Sequence, residues 1–323
     1  MSDPATGPDS APDTGIVAIG RNEGERLRRC LASVPAGMPV AYVDSASTDG
    51  SAAYARDRGA IVVELDLARP FTAARARAEG VAALLAAHPG LACLQFIDGD
   101  CEVEPGWIDT ARRFLAETPR AGVVCGRRRE RHPEASFYNA LADREWDTPI
   151  GEAAACGGDA LYRRSAYEAA GGFDAAMIAG EEPELCARLR AAGWAVWRID
   201  APMTVHDAAM HRFGQWWLRA VRSGFGYAQA WSRAGLYRRE LARVAFWTLA
   251  VVAAGLVAAL VVGPAGLLLA PLLWGAQWLR LARRSGAREA ALLVAGKWAE
   301  LIGASRFALA ALRGRRSGTI FYK

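Results

Sequence analysis

From Val244 to Leu279 the chain carries no Asp, Glu, Lys or Arg. As one helix this run would extend about 54 Å at 1.5 Å per residue, well beyond the roughly 30 Å of a bilayer's hydrocarbon core. Gly263-Pro264-Ala265-Gly266 interrupts it near the middle. Proline lacks an N–H and pushes the residue before it out of helical geometry, so a turn is expected there. The pattern predicts a helical hairpin over about 244–282, with arms near 244–262 and 266–282. Arg238, Arg239 and Arg243 precede it, and Arg280, Arg283 and Arg284 follow. Basic flanks at both ends place both on the cytoplasmic side, so the hairpin either crosses twice or re-enters. The competing reading is a hairpin buried in a soluble protein, although apolar character on every face is unusual there.

Charge follows the same division. The net charge is +5 overall, but residues 1–243 carry −3 and residues 244–323 carry +8. Positive charge beside the most apolar sequence suits an anionic lipid surface, not nucleic acid. Residues 288–312 show an imperfect helical stripe of Ala290, Val294, Trp298, Leu301, Ile302, Leu309 and Leu312. This amphipathic helix either lies on the membrane or packs against the catalytic domain. Arg313, Arg315, Arg316 and Lys323 are candidates to hold anionic headgroups. Residues 1–14 are rich in Pro, Asp and Ser without an apolar core, so a disordered tail and no cleavable signal are expected. The expected organisation is a catalytic domain over 15–235, cytoplasmic, and membrane-associated helices over 236–323 at the inner or plasma membrane.

Six cysteines lie scattered without CxxC pairs, which argues against a disulfide scaffold or a structural zinc site. In the soluble part, short β-branched runs alternate with helical segments. Strands are expected at Gly15–Ile19, Val40–Asp44, Ala60–Leu65, Cys93–Asp98 and Gly122–Arg127. Helices are expected near 24–34, 50–58, 71–87 and 106–117. This alternation predicts an α/β domain with a mainly parallel sheet, whose ligands bind beyond the carboxyl ends of the strands. Three such ends carry chemistry: Arg21-Asn22-Glu23, the loop from Asp44 to Gly50, and Asp98-Gly99-Asp100. Two acids about a glycine at a strand end can present oxygens to Mg²⁺ or Mn²⁺. No GxxxxGK[ST] and no GxGxxG opens a helix, which excludes a P-loop and disfavours a Rossmann dinucleotide site.

Taken in order, these motifs resemble the family 2 glycosyltransferases, whose GT-A fold implies a Rossmann-like mixed, mainly parallel sheet flanked by helices. Gly15-Ile-Val-Ala-Ile-Gly-Arg-Asn-Glu is similar to the family's first strand. Val43-Asp44-Ser-Ala-Ser-Thr-Asp-Gly-Ser51 resembles its Asp-x-x-Ser-Thr-Asp-Gly loop, and Phe96-Ile-Asp98-Gly-Asp100 its DxD. Gly157-Gly158-Asp159, Gly171-Gly172-Phe173-Asp174 and Gly180-Glu181-Glu182 resemble the later acceptor-side and catalytic blocks. The resemblance implies a nucleotide-sugar donor held by Arg21, Asn22, Glu23, Asp44, Arg77 and Asp98. It also implies a Mn²⁺ or Mg²⁺ held by Asp100 and His206, with Glu182 as general base beside Glu181 and an acceptor region at Gly158, Asp159 and Trp216. Glu182 stands where the family usually has Asp, and Ala78 where it usually has Asn. Gln215-Trp-Trp-Leu-Arg219 only loosely echoes the Gln-x-x-Arg-Trp block of processive enzymes, so polymer synthesis is not supported.

The implied activity is inverting transfer of a sugar to a lipid-linked, glycan or other membrane-proximal acceptor. Nucleotidyl transfer on a similar fold and a non-catalytic membrane scaffold remain as alternatives. Local readings also stay open. Asp44 and Asp49 can serve as a turn and a helix cap, Glu181 and Glu182 as solvated first-turn acids, and His206 as a satisfied polar residue. Trp216 and Trp217 fit core or membrane-interface positions as well as a sugar platform. Arg127, Arg128, Arg129 and Arg131 read as a solvated charge run in preference to a guide for a phosphorylated acceptor.

Overall fold

Apolar side chains on every position of a short strand need cover on both faces, and the first strands have it: Ile16, Val17, Ala18, Ala41, Val43, Leu94 and Phe96 are fully buried. The computed structural model describes residues 13–314. In chain order these form β1 (Thr14–Gly20), α1 (Glu25–Ser33), β2 (Val40–Asp44), α2 (Ser51–Asp57), β3 (Ile61–Glu64), α3 (Ala73–Ala87), β4 (Cys93–Asp98), β5 (Cys101–Val103), α4 (Trp107–Glu117), β6 (Ala121–Glu130), α5 (Phe137–Glu145), β7 (Gly151–Glu152), β8 (Ala160–Arg163), α6 (Arg164–Ala169), α7 (Glu181–Ala191) and β9 (Ala195–His206). Each expected strand and helix of the soluble part is present, with ends shifted by at most a few residues. β1 starts at Thr14, inside the expected tail. Residues 1–12 of that tail, and Arg315, Arg316 and Lys323, lie outside the described residues.

Among the described residues the sheet order is β3-β2-β1-β4-β8-β6-β9-β5, with β7 paired to β9. The β3-β2-β1-β4 half is parallel. The other half is mixed, since β8 runs antiparallel to β4 and β6, β6 parallel to β9, and β5 antiparallel to β9. Helix alternation accounts for the parallel half, and the mixed sheet is what the GT-A resemblance implies.

The chain divides into two compact units. The first comprises residues through His132, with Ala142–Ala176 and Leu185–Ala208. The second comprises Pro133–Leu141, Met177–Glu184 and the chain from Ala209 onward. The sheet belongs to the first. In the second, α8 (Phe213–Ala234) is followed by α9 (Arg238–Ala245), which passes through a π turn at Phe246–Ala250 into α10 (Val251–Val262). A 3₁₀ turn at Pro264–Leu268 leads into α11 (Leu269–Ser285), and α12 (Ala287–Leu312) follows. The turn falls at Pro264, as its missing donor dictates. Arg238–Val262 and Pro264–Ser285 are each long and apolar enough to cross a membrane, with mean hydropathies of 2.4 and 1.2. Their apolar windows are only 22% and 17% buried, unlike the core helices of a soluble hairpin. The indole of Trp274 donates to the Trp247 carbonyl at 2.8 Å and ties the two arms.

α12 packs along α8 through small residues. A Cβ on Gly224 would lie 2.0 Å from the Glu300 carbonyl oxygen, and one on Gly303 would lie 1.9 Å from that of Val221. The two backbones therefore touch, and glycine is required on each. The face of α12 carrying Ala290, Gly296, Ala299 and Gly303 is buried, while Leu309 and Leu312 stay exposed. We expect Gly303→Leu to lower stability by about 1–3 kcal/mol through overpacking. Gly275→Ala, inside α11 with nothing within 4 Å, should instead leave stability unchanged or raise it by up to about 1 kcal/mol, since alanine is the better helix former. Thermal unfolding of the full chain in detergent measures both.

Candidate functional site

Adjacent parallel strands bring their carboxyl ends into line, because Gly20 pairs with Asp44 and Ile19 with Asp98. Two of the expected donor residues knit this edge together. Asn22, in left-handed geometry at φ +53°, accepts the Thr48 N–H on its side-chain oxygen at 2.7 Å. Its own N–H donates to the Ser47 hydroxyl at 2.8 Å. Asp44 is buried and accepts from the Tyr42 hydroxyl at 3.1 Å and the Ser47 N–H at 2.7 Å. Asp49 accepts the Ser51 N–H two residues on, an Asx turn leading into α2, whose N-cap position is Gly50. Glu23 pairs with Arg26 at 2.8 Å, and the Arg21 guanidinium lies 5.6 Å from the Phe71 ring centre. The Asp44 loop is thus organised by its own hydrogen bonds and by Asn22.

The acidic turn after β4 is held more tightly. Asp98 accepts from Arg77 at 2.8 Å on one oxygen and from Arg128 at 3.0 Å on the other. Its backbone N–H donates to Asp159 at 3.1 Å. The second Asp159 oxygen accepts from Arg128 Nε at 2.9 Å and from the Thr204 hydroxyl at 2.7 Å. Burial alone would raise the Asp98 carboxyl, but the guanidiniums of Arg77 and Arg128 hold it well below the usual carboxylate range. Burial opposes the charge of Arg128, and Asp159, Cys101 and Asp98 more than restore it. Arg77, almost fully buried, also lies 5.5 Å from the Phe173 ring centre. These ions lock the turn in one geometry.

Asp100 points the other way. Its Oδ2 lies 3.3 Å from His206 Nε2. Strand pairing puts His206 opposite Cys101 on β5 and opposite Glu130 on β6. The Trp146 ring meets the imidazole edge-on at 4.7 Å, and Glu130 Oε2 lies 3.8 Å from Nδ1. Burial pushes the imidazole pKa down and nearby Arg128 pushes it further, which favours the neutral, ligating form. Burial pushes the Cys101 thiol up, so it remains protonated. Asp100, Cys101 and His206 bring potential ligand atoms within 4.8 Å of one another. With the sulfur protonated, the useful donors are one carboxylate and one neutral imidazole. That mixed oxygen–nitrogen set could hold a divalent cation such as Mn²⁺ or Mg²⁺.

The structure joins Asp98, Asp100, Asp159, His206 and Arg77 in one cluster of the first unit. Gly158 is buried in the loop that delivers Asp159 to β8. Asp159, expected near the acceptor, has its carboxylate turned onto Asp98 and Arg128. The arginine run is not uniformly solvated. Register shifts flank Arg127, so strand alternation breaks there. Arg127 reaches Asp143 at 3.1 Å and Asp147 at 3.3 Å, Arg128 reaches Asp98 and Asp159, and Arg129 is 54% exposed. Sequence reasoning therefore missed Arg128, and with it Thr204, Glu130 and Trp146. The sequence shows the charge but not the bulge that turns it inward.

Glu181 and Glu182 open α7 and belong to the second unit. The loop before them is anchored on α8, where Gln229 Oε1 accepts the N–H of Ile178 at 2.9 Å and of Ala179 at 3.3 Å. Gly180 has φ +79°, and a Cβ there would lie 3.2 Å from the Gly226 carbonyl oxygen. Trp216 is 7% exposed, stacks near Phe213 at 5.6 Å and packs on Gly296 of α12, which makes it a packing residue of this unit.

The sequence model of glycosyl transferase family 2 matches residues 16–171. This segment is a family 2 glycosyltransferase domain. It contains the Asp44 loop, Asp98, Asp100 and Asp159, and ends before Glu181 and His206. Among solved structures, a mannosyltransferase of Pyrobaculum calidifontis, in complex with GDP-Man and Mn²⁺, aligns with a TM-score of 0.58 at 23% identity. The alignment covers 92% of this chain and 88% of that one. TarS residues 1–349 of S. aureus align at 0.50 and 11% identity, over 94% and 92%. At these identities the likeness is one of fold, the GT-A fold. No curated protein matches the chain.

The glycosyltransferase domain depends on Arg128 for the shape of its acidic turn. Arg128→Met would leave Asp98 and Asp159 short of a cation, at a cost of about 3–5 kcal/mol. Arg129→Met, which removes a half-exposed guanidinium from Glu104, should cost about 0–1 kcal/mol. Urea unfolding of the two full-length variants separates these outcomes.

Proposed function

We propose that the protein is an inverting, metal-dependent glycosyltransferase that moves a sugar from a nucleoside-diphosphate sugar to a lipid-linked or membrane-proximal acceptor. The observation that carries this reading is the Asp100–His206 pair, one carboxylate and one neutral imidazole 3.3 Å apart beside the carboxyl ends of the parallel strands. Asp100 and His206 would hold the divalent cation, which when bound supplies positive charge for the leaving diphosphate. That the Pyrobaculum mannosyltransferase was solved with GDP-Man and Mn²⁺ supports the same donor class and metal here.

The chain's own residues divide the remaining work. Asp44, Asn22 and the Arg21–Glu23 loop line the donor side, with the nucleobase at Asp44. Asp98, fixed by Arg77 and Arg128, presents a rigid edge to the ribose. Glu182, in the first turn of α7, takes the proton of the acceptor hydroxyl as that oxygen attacks the anomeric carbon. A helix start favours the ionised carboxylate that a base requires. Attack from the face opposite the departing diphosphate inverts the anomeric centre. The apolar hairpin and its basic flanks support a membrane location with the catalytic domain on the cytoplasmic side.

Incubation with a panel of nucleotide sugars and Mn²⁺ should release free nucleoside diphosphate, and Asp100→Ala should abolish both that release and Mn²⁺-dependent nucleotide binding. Pyrophosphate formed from a nucleoside triphosphate and a sugar phosphate would instead indicate nucleotidyl transfer. Glu182→Gln should retain donor affinity by calorimetry while turnover falls about 10²–10⁴-fold. Lost donor affinity at unchanged turnover would remove Glu182 from the role of base.

A further inference from the structure

The second unit holds a cavity of about 240 Å³ whose walls include Glu181, Glu182, Arg219, Arg222, Tyr227 and Tyr237. That is below the roughly 300 Å³ at which sites begin to enclose whole small molecules, so it suits a head group whose remainder stays outside. Arg219 and Arg222 stand three residues apart on α8 and share a face. The other wall is the first turn of α7, an 11-residue helix whose dipole favours negative charge and which already carries the Glu181 and Glu182 carboxylates. Two arginines lining one cavity bring the kind of donors that phosphate oxygens take.

The location narrows the source of that phosphate. Tyr227 and Tyr237 pack with ring centres 4.8 Å apart. Tyr237 is the residue immediately before Arg238–Val262, the first helix long and apolar enough to cross a membrane. Arg238, Arg239 and Arg243 follow within that helix's opening turns. A cavity closed by the last residue before such a helix lies at headgroup depth, where basic side chains meet anionic lipid.

We propose that this cavity binds the phosphate of an anionic lipid which also carries the hydroxyl to be glycosylated. The assignment rests on Glu182 being the base. With the phosphate on Arg219 and Arg222, the lipid's hydroxyl reaches Glu182 in the same cavity. Its proton passes to the carboxylate and its oxygen bonds to the anomeric carbon. The bond from that carbon to the nucleoside diphosphate breaks, and the diphosphate leaves with the electron pair. A water-soluble phosphate ester would offer the same oxygens, and the test separates the two sources.

The full chain is reconstituted in phosphatidylcholine vesicles containing a photoactivatable phosphatidylinositol. Illumination should label the segment between residues 219 and 237. Arg219→Gln with Arg222→Gln should cut that label about tenfold or more, while Arg233→Gln, an exposed change on the same helix, leaves it intact. Label that is absent from this segment, or indifferent to both substitutions, overturns the proposal. Displacement of the label by glycerol 3-phosphate would assign the cavity to a soluble ester and overturn the lipid assignment. In turnover assays the double variant should raise KM for phosphatidylinositol about tenfold and leave the affinity for UDP or GDP with Mn²⁺ unchanged. A loss of nucleotide affinity would place the arginines on the donor and overturn the assignment. If the wild type releases no nucleoside diphosphate with any donor, the transferase reading fails, whereas the labelling result still decides the cavity.

Discussion

Arg128 carries its guanidinium between two carboxylates, with Nε on Asp159 and a terminal nitrogen on Asp98. That one cation ties the end of β6 to the end of β4 and to the loop entering β8. Buried charge is costly unless it is paired, and both carboxylates here are: Arg77 takes the other Asp98 oxygen, while Thr204 and the Asp98 N–H complete Asp159. The network does little that a hydrophobic core could not do for stability. Its consequence is geometric. With Asp98 held on both oxygens, the following glycine and Asp100 leave the strand in one direction, toward His206.

His206 reaches that point for a separate reason. β9 runs parallel to β6 and antiparallel to β5, so its last residue lies between Cys101 and Glu130. Trp146 covers one edge of the ring. Burial keeps the imidazole neutral, and burial also keeps the neighbouring thiol protonated. Of the three potential ligands in this cluster, the environment selects the oxygen and the nitrogen. In the second unit, close backbone approach does comparable positioning work. Gly180 against Gly226 seats the loop before Glu181, and Gly224 against Glu300 together with Gly303 against Val221 joins α8 to α12. A side chain at any of these contacts would separate the segments it now joins.

Much of the α/β domain was legible residue by residue. Gly15-Ile-Val-Ala-Ile, Ala41-Tyr-Val and Leu94-Gln-Phe-Ile declare buried strands through continuous apolar character, and the polar residues just beyond them mark the ligand edge. What escaped was non-local. The end of β6 and the residue beyond it show four arginines within five residues, but two register shifts against β9 turn Arg127 and Arg128 inward onto Asp143 and Asp159, while Arg129, paired with Glu104, stays more than half exposed. Asp159 reads as part of a glycine-rich acceptor-side block, yet its partners lie 31 to 61 residues away. Trp216 offers a flat ring suited to sugar, and its burial against Gly296 becomes visible only when α12 is in place.

The sequence alone determined where the strands, the acidic turn and the uncharged hairpin lie, because hydrophobic periodicity, chain-breaking Pro264 and missing charge act over a few residues. Tertiary structure decided which carboxylate is spent on arginine and which is left to meet an imidazole. It also decided which helix faces take glycine. Those choices depend on register and backbone separation between distant segments, and no stretch of the chain contains that information by itself.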